Sequence, residues 1–123
     1  FATFAERFVK ASLDLKPDFI FLSHVFFNSG WVCPLDQILP KLPSESIKVV
    51  DAYHSFMALP VDWSPYQKDV FYLSGSYKYA QGGEGCCFLY VPPGCQLRPA
   101  YTGWFAELNH LSAKDSQITY PSD

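Results

Sequence analysis

Four short apolar runs, three halted by polar side chains and the fourth by Pro92-Pro93, limit what this chain can fold into. They are DFIFLSHVFF (18–27), IKVVDAY (47–53), DVFYLS (69–74) and CCFLYV (86–91). Uninterrupted apolar runs of this length, bounded by turn residues, read as strands buried on both faces. None approaches the roughly 18 apolar residues that cross a bilayer. Strands of this kind, separated by crossovers, imply an open, mostly parallel sheet covered by helices. The expected class is therefore α/β, a three-layer arrangement with flanking helices.

The segments between the runs support that class. Phe1, Phe4, Ala5, Phe8, Val9 and Leu13 recur at helical spacing, which predicts an amphipathic helix over residues 1–15, ended between Asp14 and Pro17. Asn28, Ser29 and Gly30 break the first apolar run, and Pro34 opens a short helix, PLDQIL, where its missing N–H costs nothing. A loop with Pro60, Trp63 and Pro65 follows the second strand. The polar stretch GSYKYAQGGEG separates the third strand from the fourth, and the residues after Pro93 read as surface loop.

The formal net charge is −3 and no basic cluster exists, so the electrostatic footprint of a nucleic-acid partner is missing. Acidic and basic residues are mixed in FATFAERFVK, unlike a signal peptide. The four cysteines, Cys33, Cys86, Cys87 and Cys95, fit no zinc spacing and are expected to be buried, reduced thiols of a cytoplasmic protein. The start without an initiator Met is expected for a piece of a longer polypeptide, or for a processed one.

In open α/β sheets, chemistry gathers at the carboxyl ends of the strands. Here those ends are Ser23-His24 to Gly30, Asp51 to His54, and Ser74 to Lys78. A carboxylate that ends an aliphatic strand is costly unless it meets a cation or donors. Ser74, Ser76, Tyr77 and Lys78, with the glycines beyond them, offer hydroxyls and backbone N–H groups suited to an anion. A lysine amine in such a place can act as a nucleophile. An aromatic heterocycle with an aldehyde, a ring nitrogen and a phosphate would use every one of these groups.

The run VDAYHSFMALPVDW…DVFYLSGSYKYAQGGEGCCFLYV resembles the core of class V aminotransferase-like pyridoxal-phosphate (PLP) enzymes. That family includes cysteine desulfurases, kynureninases and isopenicillin-epimerase-like proteins. The matching pattern is a strand ending in D-x-x-H, a P-[LIV]-D-like loop, and a strand ending just before an aromatic-Lys pair. The 27 residues from Asp51 to Lys78 suit it. Upstream, SHVFFNSGWVCPLDQI resembles the family's S-H-V segment, and the YKY and GWF triplets look most like kynureninase.

The resemblance implies that residues 1–123 are part of the large domain of a fold-type I PLP enzyme, a homodimer acting on an amino acid. It implies Lys78 as the Schiff-base lysine and Asp51 as the partner of the ring nitrogen. It places His54 near the ring hydroxyl, and Tyr77 and Ser76 on the phosphate. Trp104 would reach the cofactor region, commonly across the subunit interface. Phe27 stands where desulfurases carry an asparagine, with Asn28 one residue late. The family's first phosphate loop, ring-stacking residue and carboxylate-binding arginine have no counterpart here.

Each residue taken singly has an ordinary structural reading. Lys78 is a surface lysine, Asp51 a turn cap and His54 a loop histidine. Tyr77 and Trp104 are packing aromatics, and His24 packs at a strand end. Two other functional readings stand beside catalysis with PLP. One is an inactive relative, or a fragment with a structural or dimerisation role. The other is a thiol enzyme using Cys95.

Overall fold

A computed structural model of the chain describes residues 3–100. It contains helix α1 (Phe4–Leu15), strand β1 (Phe19–Ser23), and a short helix α2 (Leu35–Ile38) extended by a 3₁₀ turn. Strands β2 (Ile47–Asp51), β3 (Val70–Gly75) and β4 (Cys87–Tyr90) follow. They form one four-stranded sheet in the order β1-β2-β3-β4. β1, β2 and β3 run parallel, and β4 returns antiparallel to β3. This is an α/β domain with an open, mostly parallel sheet.

Local chemistry explains where the elements stop. Lys16 closes α1 in the left-handed region, at φ 46°, donating its N–H to the Ser12 carbonyl. β1 stops at Ser23, short of the expected Phe27, because residues 24–33 close on themselves. Phe26 N–H donates to the Trp31 carbonyl at 3.0 Å, and Cys33 N–H to that of His24 at 2.8 Å. Gly30, at φ +64°, makes the reversal without steric cost. β2 stops at Asp51 because the Asp51 carboxylate accepts the Tyr53 N–H at 2.9 Å, an Asx-type turn that diverts the backbone from the ladder.

The core lies on one sheet face. Ile20, Leu22, Val50 and Val70 meet Leu35, Ile38, Leu39 and Leu42, with Phe4, Ala5, Phe8 and Val9 of α1 packed against them. On the other face the expectation of strands buried on both sides holds for β2, where Val49 is 8% and Val50 0% exposed, but not for β1. In β1, Ile20 and Leu22 are 5% and 3% exposed, whereas Phe19 and Phe21 are 55% and 49% exposed. The described residues therefore form two layers, helices on one face of the sheet, and a third layer is absent among them. The same lack of cover corrects the expectation of buried cysteines. Cys33 is buried and Cys95 half-buried, but Cys86 and Cys87, at the start of the outer strand, are exposed. No described helix is long and apolar enough to cross a membrane.

Candidate functional site

Parallel registration brings the strand ends level. Ser23 pairs with Asp51, and Asp51 with Leu73, so residues just beyond β1, β2 and β3 emerge side by side. The Asp51 carboxylate is half-buried and held at both oxygens. One accepts the Tyr53 N–H, and the other accepts the Ser23 hydroxyl at 3.4 Å. Each carboxylate oxygen has a second lone pair, so Asp51 keeps capacity for a further donor.

The turn after Asp51 carries His54 across to the end of β3. The Lys78 amine is hydrogen-bonded to Nε2 of the His54 ring. Three aromatic rings surround the amine, at 5.9 Å (Phe27), 5.7 Å (Tyr53) and 5.5 Å (Tyr77) from their centroids. Faces at that range attract a cation. The rings also contact their neighbours: Phe27 lies 5.4 Å from His54, and Tyr53 lies 5.6 Å from Tyr77.

Lys78 stands on a glycine-rich excursion between the antiparallel β3 and β4, which Ser76 holds closed. The Ser76 hydroxyl lies 2.8 Å from the Gly83 carbonyl and 3.0 Å from that of Cys86. Its N–H donates to the Cys86 carbonyl, and its carbonyl accepts the Gly82 N–H. A Cβ on Gly82 would sit 2.9 Å from Ser76 Cβ, so glycine is required for this closure. Behind the tyrosines lies a cavity of about 320 Å³ walled by Tyr53, Tyr77, Glu84, Gly85, Cys86 and Cys87. Lost hydration pushes the Tyr53 phenol up from its ordinary range, and Cys87, Tyr77 and Asp51 push the same way.

Asp51, His54, Tyr77 and Lys78 thus come to one end of the sheet. Ser76 lies beside them, but its hydroxyl faces the carbonyls of its own loop rather than the open site. Trp104 lies outside the described residues. The sequence reading assigned nothing to Ser23, and it did not single out Tyr53 or treat Phe27 as part of a site. The available signal for Tyr53 was its place between Asp51 and His54. His24 is buried, as a packing histidine at a strand end would be, and its Nδ1 has no hydrogen-bond partner among the described residues. Burial pushes its imidazole below the ordinary range.

Among the described residues no group of three histidine, cysteine or acidic side chains could hold a metal ion. No protein-family model matches the chain, and no curated protein or solved structure matches it.

Proposed function

We propose that this chain is a PLP-binding domain of the class V aminotransferase type, with Lys78 as the residue that takes the cofactor aldehyde and an amino acid as substrate. The observation that carries the reading is the Lys78 amine. It is held by His54 among three aromatic rings, at the same strand ends as a carboxylate with spare acceptor capacity.

The donor set fits the group. An amine is available for an aldehyde, a carboxylate for a ring nitrogen, and aromatic faces for a planar ring. The Tyr77 phenol and the backbone of the glycine turn are available for a phosphate. When bound, the cofactor supplies a protonated ring that accepts the electrons of a breaking bond near the substrate α-carbon. The protein's part is binding and proton handling. Asp51, pinned by Ser23 and by the Tyr53 amide, offers a fixed negative charge. His54 can pass a proton to or from the Lys78 amine, which makes the pair a candidate acid–base couple.

The test is chemical trapping. The full chain is incubated with PLP, reduced with borohydride and digested, and the modified peptide is located by mass spectrometry. A reduced adduct on Lys78, absent from Lys78→Ala, is expected. An adduct spread over surface lysines at equal occupancy, or none, refutes the assignment.

A further inference from the structure

We propose a second ligand site at the amino end of the sheet, where Lys48 and Asp69 hold the two charges of a small zwitterion of the α-amino-acid kind with an apolar side chain. The site lies at the opposite strand ends from Lys78 and does not rest on the PLP reading.

Lys48 is the second residue of β2, an inner strand. It pairs in register with Ile20 on one side and Val70 on the other, and Val50, two residues on, shares its face. All three neighbours belong to the apolar core. In that setting Lys48 is 6% exposed. Lysine is almost never buried so far unless it is paired. Among the described residues the one ion pair joins Lys10 to Asp14, so Lys48 has no counter-ion among them. Its amine donates to the Ser44 carbonyl at 3.2 Å, and an ammonium has three hydrogens to give.

Lys48 and the Ser44 that it bonds both line a cavity of about 370 Å³. That volume falls within the range of about 300–1,000 Å³ common to small-molecule sites. Leu39, Leu42 and Val70 give the cavity an apolar wall. Asp69 lines it too, is exposed, and makes no ion pair with Lys48. Two opposite charges therefore border one apolar space without meeting. A buried charge without a partner is costly, and a ligand carboxylate would supply the partner.

A bare anion suits the place less well than a zwitterion. Tyr66 lines the cavity beside Asp69. Lost hydration, and then the carboxylates of Asp36 and Asp62, push its phenol up from the ordinary range. With Asp69, that side of the cavity is negative. The cation is thus buried and the anions are at the rim. A carboxylate turned in to Lys48, an ammonium turned out to Asp69 and a branched side chain against Leu39, Leu42 and Val70 satisfy all three surfaces.

The experiment is a titration of the isotope-labelled full chain, without PLP, followed by amide chemical shifts. L-Leucine should move the Ser44, Lys48 and Val70 amides saturably and leave Ser76 and Gly82 in place. 4-Methylpentanoate lacks the ammonium and should bind about two- to fivefold more weakly, the range of an exposed ion pair. 3-Methylbutylamine lacks the carboxylate and should bind roughly thirtyfold more weakly or worse, the loss expected for one partner of a buried charge pair. Lys48→Met should weaken leucine by that same factor, and Asp69→Asn should erase the preference for leucine over 4-methylpentanoate. Melting curves report whether each variant folds, and the ligand series on the unsubstituted chain tests the site without them.

No saturable shift at Ser44, Lys48 and Val70, or shifts at Ser76 and Gly82 instead, overturns the site. If 3-methylbutylamine binds as tightly as leucine, or a folded Lys48→Met binds leucine unchanged, Lys48 is not the carboxylate partner. If 4-methylpentanoate matches leucine, the zwitterion assignment falls.

Discussion

Replacing Ser76 with alanine separates two roles for one hydroxyl. The sequence pattern points to a phosphate ligand, whereas the fold uses Ser76 to close the excursion that carries Lys78. The hydroxyl has one proton to give and two carbonyls within 3.0 Å, so it makes one full donor bond, shared or alternating between Gly83 and Cys86. A net intramolecular hydrogen bond is worth about 0.5–1.5 kcal/mol, and an exposed one belongs in the lower half of that range. Ser76→Ala should therefore make local opening of the loop about two- to fivefold more frequent, with little change in global stability. Amide hydrogen exchange on the ligand-free protein measures this directly. The reporters are Ser76 N–H, bound to the Cys86 carbonyl at 2.9 Å, and Gly82 N–H, bound to the Ser76 carbonyl at 2.8 Å. Both should lose protection by that factor, while amides in the β1–β2 ladder should not change. Unchanged protection at Ser76 and Gly82 without ligand would refute the closure argument and leave the hydroxyl to the phosphate.

Two further outcomes follow from buried groups. His24 is 6% exposed and held neutral by burial, so its folded pKa lies below the ordinary value of about 6.5. The unfolded chain then takes up the proton first. The contribution of His24 is present above pH about 6.5 and is lost as pH falls below it. Urea midpoints should drop between pH 7.5 and pH 5.5 in the native chain but much less in His24→Gln; an equal drop in both would exclude His24 as the cause. Cys33 is buried and its thiol is pushed up to about 12, whereas Cys86 and Cys87 are exposed. Iodoacetamide at mildly alkaline pH should label Cys86 and Cys87 in the folded protein and reach Cys33 on unfolding, and early labelling of Cys33, read by peptide mass, would contradict the core described here.

The apolar runs made the order of the elements legible, and the period of Phe4, Ala5, Phe8 and Val9 made α1 legible. Boundaries were less so. Nothing in IKVVDAY announces that the Asp51 side chain will capture the Tyr53 amide and turn the backbone. The extent of cover was not legible either. FIFLS is apolar on both faces, and composition alone does not say which face finds a partner. The exposure of Cys86 and Cys87 was missed for the same reason. At the site, Asp51, His54, Tyr77 and Lys78 stood out because polar side chains after an apolar strand need an explanation. Tyr53 and Phe27 did not, because an aromatic in an apolar neighbourhood reads as core. Ser76 shows a third kind of limit. A hydroxyl beside glycines suits an external anion or the loop's own carbonyls equally well, and the folded contacts separate the two.

The bare face of β1 governs how this chain behaves as a colloid. Among the described residues, Phe19 and Phe21 present their rings to water from an outermost strand whose unpaired edge also carries backbone donors and acceptors. Attraction between such faces is driven by water and weakens on cooling, while strongly hydrated anions such as sulfate reinforce it. Concentrated solutions should therefore turn cloudy on warming or on adding ammonium sulfate and clear again in the cold. Sodium chloride at moderate strength should matter little, because the attraction is not between charges.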